Sequence, residues 1–163
     1  MQPVEVILLR TELIHDIEAV IHQLERKSKD TASAALLPAG ASADYLLSRH
    51  IDTAVNQALA SCQAYLAMPS PFAHRIATDH AMQWEEKSIL LAMPLSWPLH
   101  HLDPLRDAIH SFIVYRALQL FLAFSDEKAA AVCDERASDF CADIAVHLSA
   151  RSHPLQCAMS PFG

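Results

Sequence analysis

Between residues 103 and 151 the apolar positions fall into two helical stripes separated by a very short break. In the first stripe Ile109, Ile113, Ala117, Leu120 and Phe124 recur at three- and four-residue steps, one face of an α-helix. Phe112, Leu118, Phe121 and Leu122 widen that face almost all the way round, which marks a helix covered on several sides. Asp103-Pro104 supplies a start: the carboxylate accepts from an orphan backbone N–H, and proline at the first helical position needs no N–H partner. In the second stripe Cys133, Ala137, Phe140, Ile144 and Leu148 are separated by Asp134, Glu135, Asp139 and Asp143. Ser125 ends the first helix and caps the second, and Asp126 and Glu127 sit where the helix dipole favours negative charge. So short a connection forces the two helices to run antiparallel and in contact. Ala117, Ala129, Ala130 and Ala137 are small enough to let them approach. The pattern predicts helices over 103–124 and 126–150.

The earlier chain carries two more stripes. Leu13, Ile17, Val20 and Leu24, with Ile14 and Ile21 to one side, predict a first helix over 3–29, and Arg26, Lys27 and Lys29 suit its C-terminal end. Residues 30–43 are small and interrupted by Pro38 and Gly40, which reads as a loop, with Leu36 and Leu37 available to dock. Asp44 caps a second helix over 44–67, its stripe formed by Leu47, Ile51, Val55, Ala58, Cys62 and Leu66. Then the period changes. Met82 and Trp84, and after them Ile89, Leu91 and Met93, alternate with polar positions around a Glu85-Glu86-Lys87 turn, predicting a small β-hairpin over 80–93. A lone hairpin is marginal in water and must lie on the helices or pair with another chain. The tail, 152–163, has no period but holds Leu155, Met159 and Phe162 as apolar anchors. The predicted fold is mainly α. A single four-helix bundle-like domain over 1–151 has a long C-terminal antiparallel helical hairpin and a small β-hairpin inserted between helices 2 and 3.

Composition narrows the function classes. At 163 residues the length is that of one domain, and 52% apolar residues are enough for a real core. Two glycines against nine prolines favour helices punctuated by loops over a barrel or sandwich. A net charge of −7 gives no general attraction to nucleic acid or anionic membrane. The longest apolar run, 112–124, contains Arg116 and Gln119 and falls well short of the roughly 20 residues a membrane span needs. The N-terminus lacks the basic region and cleavage site of a signal peptide. Cys62, Cys133, Cys141 and Cys157 form no CxxC pair, which predicts reduced thiols in a cytosolic setting.

Ten histidines call for a metal test. His15, Glu18 and His22 share one helical face at ligand-like spacing. That face lies opposite the apolar stripe, however, and therefore reads as solvated or intersubunit surface. His100 and His101 are adjacent in a loop and poorly placed to converge on one ion, while His110 and His147 fall near the inner faces of their helices and call for hydrogen-bond partners. Glu85-Glu86 reads as a charged turn, and Cys157 has no positioned base. No phosphate loop, GxSxG or HExxH is present, so neither catalytic residues nor a cofactor are predicted. Trp84 and Trp97 remain open between packing on the bundle and anchoring an interface.

The order of parts resembles the head–tail connector, or neck, proteins of tailed phages and prophages. WEEKSILLAMPLSW (84–97) is similar to the strand and Leu-Pro/Trp junction of that group, with Met93-Pro94 in place of Leu-Pro and Trp97 three residues on. IHSFIVYRALQLFLAF (109–124) resembles its third helix and SDEKAAAVCDERASDFCADI (125–144) its returning helix. The resemblance covers about 80–151 and implies a structural virion protein, assembled in the cytoplasm of a bacterial host. The expected partners are copies of itself in a homo-oligomeric ring, portal and tail or neck proteins, and DNA only as passing cargo. Membrane is not among them. Trp84, Trp97, Leu36, Leu37, Leu155, Met159 and Phe162 are the expected interface residues. The alternative is a free-standing helical binding module, or a metal enzyme using His15, Glu18 and His22.

Overall fold

Val4, Val6 and Leu8 alternate with Pro3, Glu5 and Ile7, and this two-residue period decides the start of the chain. In the computed structural model, which describes residues 1–28, 41–67 and 84–151, Gln2–Leu9 is a strand, β1. The first helix, α1, is Arg10–Ser28. The helix expected over 3–29 is therefore corrected at its front. Its apolar stripe begins only at Leu13, and nothing in 3–9 has a helical period.

The remaining elements are α2 (Ala41–Ser61), β2 (Glu86–Met93), α3 (Leu102–Leu122) and α4 (Glu127–Ser149). The described residues are mainly helical, with four α-helices and one two-stranded antiparallel sheet among them, as expected. The strand partner differs from the local hairpin. β2 pairs with β1, Val6 opposite Ile89 and Val4 opposite Leu91. Trp84 precedes β2 without joining a strand, and Met82 lies outside the described residues. On its other edge β2 is touched by the end of the α2 excursion, through a Leu66–Leu91 bridge and an Ala67 N–H donating to the Leu90 carbonyl at 3.0 Å. Among the described residues no strand lies along the other edge of β1.

The sheet is stable because one face is sealed. Val4, Val6, Leu8, Ile89, Leu91 and Met93 are all buried in the same core cluster as the helices. At the centre is α3, packed most extensively on α4 and next on α2. Leu105, Ile109, Phe112, Ile113, Leu118 and Leu122 are buried around its circumference, as the near-continuous apolar pattern requires. Leu13, Ile17 and Ile21 bring α1 into the core, and Ile51, Val55 and Ala58 bring α2.

Four expected boundaries move. Asp103 is not a cap: a 3₁₀ turn, Leu99–His101, leads into α3, so Asp103 lies in the first helical turn. The cap of α4 is Asp126, which accepts from the Ala129 N–H at 3.0 Å, while the Ser125 hydroxyl turns back to the Leu122 carbonyl. With α3 ending at Leu122, Phe124 falls in the turn and is 99% exposed, not on the apolar face. Asp44 falls inside α2, which starts at Ala41.

Candidate functional site

Side-chain networks close the two ends of the sheet, and a groove runs beside β1. The first network starts at Arg10. Its N–H donates to the Glu85 carbonyl at 3.0 Å and holds the end of the sheet. Its guanidinium, in a residue only 7% exposed, turns towards α2, donating to Asp52 Oδ1 at 3.3 Å and to the Ser48 hydroxyl. The Trp84 indole N–H donates to the same Asp52 oxygen at 2.8 Å, and its ring lies 5.2 Å from the Arg10 guanidinium. Lys87 approaches the ring from β2 at 5.9 Å, and burial pushes its amine below the usual lysine value against a smaller pull from Asp52. Trp84 is thereby a tied, half-buried residue.

The second network closes the opposite end. Trp97 is only 2% exposed, and its indole N–H donates to the His147 carbonyl near the end of α4 at 2.8 Å. The Gln2 amide donates to the Trp97 carbonyl at 2.9 Å, drawing the first residue of β1 into the same junction. His101 and His147 meet through their Nδ1 atoms at 3.0 Å. Trp97 is thus a core residue of the free chain, not an exposed anchor.

Between β1, the start of α1 and the first half of α3 runs a groove of about 760 Å³. At its floor His110 Nε2 meets Asp16 Oδ2 at 2.9 Å, and His15 approaches the other carboxylate oxygen at 3.4 Å. Partial burial raises the Asp16 carboxyl, but hydrogen bonds from His110 and His15, with their charges, outweigh it and hold it below the ordinary value. The resulting contribution to stability is present above the ordinary carboxyl range and fades as pH falls through the lowered value. Arg106 lies between Asp107 at 3.4 Å and Asp103 at 3.9 Å on the same rim.

The outer face of the sheet is mixed: the Ser88 hydroxyl donates to Glu5 across the strands, Glu5 and Ile7 line the groove, and apolar side chains stand exposed among them. Ile7 and Leu90 are 45% and 48% exposed, Pro3 is exposed beside them, and Leu95 and Leu99 project from the following loop at 78% and 64%. The period of residues 3–9 in the sequence carries the signal for Ile7. The Asp16–His110 pair links positions 94 apart and leaves no local trace.

The residues of the alternative metal reading lie on the exposed side of α1. His15 reaches the groove, but the His15 and His22 side chains are 81% and 70% exposed and Glu18 is exposed between them. Among the described residues no group of three or more His, Cys, Asp or Glu is placed to hold an ion. His110 and His147 both have hydrogen-bond partners, as their positions predict. Cys62 and Cys133 are buried free thiols, each pushed up to about 11 by burial. Leu36, Leu37, Leu155, Met159, Phe162 and Cys157 lie outside the described residues. Among the described residues no helix is long and apolar enough to cross a membrane. Comparison with protein-family models, with curated proteins and with solved structures finds no match to this chain.

Proposed function

We propose that this chain is a structural adaptor of the head–tail connector kind, copies of which join in a ring between portal and tail of a virion. The observation that carries the reading is the outer side of the sheet. Among the described residues β1 has no strand along its second edge, and the face beside it leaves Ile7 and Leu90 45% and 48% exposed. Unpaired strand edges and apolar patches are surfaces that proteins keep for other chains. A ring needs a heterologous contact whose rotation closes, and a sheet edge facing a neighbour's different surface is one such contact. The net charge of −7 suits a wall past which DNA slides without adhering. The resemblance over 80–151 supports the kind of assembly, and the half-exposed Ile7 and Leu90 support the sheet as its contact.

Mass photometry and negative-stain imaging test the reading. Purified protein should form closed oligomers at micromolar concentration, alone or on addition of portal protein. An Ile7→Lys/Leu90→Lys double variant should stay monomeric with unchanged helical content, because both side chains already face solvent. A wild-type chain that remains monomeric with portal and tail proteins present refutes the ring. Oligomers that the double variant leaves intact refute the sheet as their contact.

A further inference from the structure

The imidazoles where the start of α3 meets the end of α4 form a pair that tolerates one added proton but not two. His101 Nδ1 and His147 Nδ1 are 3.0 Å apart. In the neutral pair one ring donates its Nδ1–H to the lone pair of the other. A first proton can enter at a distal Nε2 and leave that bond in place, now charge-assisted. A second proton must take the accepting Nδ1 itself. Two N–H groups would then face each other with no lone pair between them.

His100 adds to the effect, with its ring centroid 4.7 Å from that of His101. We propose that the His101–His147 pair is an acid-sensitive latch that holds Trp97 in the core at neutral pH and releases it, with the end of α4, in mild acid.

The latch holds more than itself. The residue that donates or accepts at its Nδ1, His147, also offers its carbonyl to the Trp97 indole at 2.8 Å, and the Trp97 ring lies 6.4 Å from that of His101. The Trp97 carbonyl in turn receives Gln2. Parting His101 from His147 therefore strips the tryptophan of its polar partner and loosens the end of β1 as well. The charges acting on His101 are those of His100 on its own turn and His147 from α4. From α3, Asp103 is turned towards Arg106, and beyond His147 on α4 Arg151 donates to the Leu148 and Ala150 carbonyls. From β1 the nearest contact, Gln2, is uncharged. No carboxylate among these groups is bonded to either imidazole.

The direction of the titration agrees. Desolvation, then the charges of His100 and His147, place His101 below the usual histidine value of 6.5. A base depressed by folding binds fewer protons folded than unfolded. The latch is therefore fully present above the ordinary histidine range and is lost as pH falls through the lowered value. The inference stands apart from the ring, since it concerns a contact within one chain.

The full chain labelled with 5-fluorotryptophan gives two ¹⁹F resonances, which a Trp84→Phe variant assigns. Between pH 7.5 and 5 the Trp97 resonance should move to a solvent-exposed position and gain a solvent-isotope shift, reversibly, while Trp84 stays. His101→Asn, which keeps a polar group near the Nδ1 position but does not titrate, should hold Trp97 buried at pH 5. His110→Asn, at the other histidine contact, should leave the transition unchanged. Should His101→Asn fail to fold, His147→Asn makes the same test, and hydrogen exchange on the wild-type chain at the two pH values must show opening confined to 94–101 and 147–151. A Trp97 signal that stays buried at pH 5, or one that moves equally in the asparagine variants, overturns the latch.

Discussion

Truncating Leu118 to alanine is expected to destabilise the fold by about 3–5 kcal/mol, in the upper part of the range for buried leucines. Leu118 is 0% exposed and sits on α3, the helix with neighbours on both sides. The cost of such a cavity depends on whether the surroundings can collapse into it. Here α2 and α4 contribute Ala54, Ala58, Ala129, Ala130 and Ala137 to the buried core, and a methyl group has no rotamer with which to fill a hole. At roughly 2–4 °C per kcal/mol for a domain of this size, the midpoint should fall on the order of ten degrees. Differential scanning calorimetry or urea unfolding measures it. A loss below about 1 kcal/mol would mean that α3 is not the centre of the core.

Arg10→Ala should be the second large loss, about 2–3 kcal/mol. Removing one member of a buried ion pair commonly costs roughly 3–5 kcal/mol, and the figure is reduced here because the Asp52 side chain is 32% exposed and can recruit water. The same substitution removes the Ser48 contact and the cation above Trp84, so it unfastens α2 from the β1–α1 junction. Arg10→Lys separates the contributions. It preserves charge but not the planar fork that reaches Asp52 and Ser48 together while lying against an indole, and should recover about half of the loss. Asp52→Asn should cost less than Arg10→Ala, since an amide oxygen still accepts from both donors. Denaturant midpoints of the three variants give the ranking. An Arg10→Ala protein as stable as wild type would show that the guanidinium is held there without consequence for α2.

The helical hairpin was legible because its evidence is local. Repeating apolar positions between 109 and 148 and a polar break at Ser125-Asp126 specify two helices and their orientation. β1 was hidden for a different reason. Leu9 passes directly into Arg10 with no glycine or proline between strand and helix, so the helical stripe beginning at Leu13 extends backward over a segment with its own shorter period. The strand at 89–93 was visible, but a strand does not state its partner, and the nearest candidate in sequence took a place that belongs to Val4, Val6 and Leu8. Trp97 shows the same limit. Lying between Pro94 and Pro98 it has no period to read, and only the fold brings the α4 carbonyl to its indole. The groove pair Asp16–His110 and the latch pair His101–His147 are likewise products of packing between helices distant in sequence.

The pairing of the chain's beginning with its middle also governs how the protein can be made. Val6 faces Ile89, so during synthesis the first strand leaves the ribosome with its hydrogen-bonding groups unmet until roughly eighty further residues have been added. At about 5–20 residues per second that wait lasts roughly four to sixteen seconds. For those seconds an apolar ribbon, Pro3 to Leu9, trails free of its seat, and crowding of nascent chains on one message offers it the wrong mates. A solubilising fusion placed ahead of Met1 should raise the yield of folded protein more than one placed after Gly163.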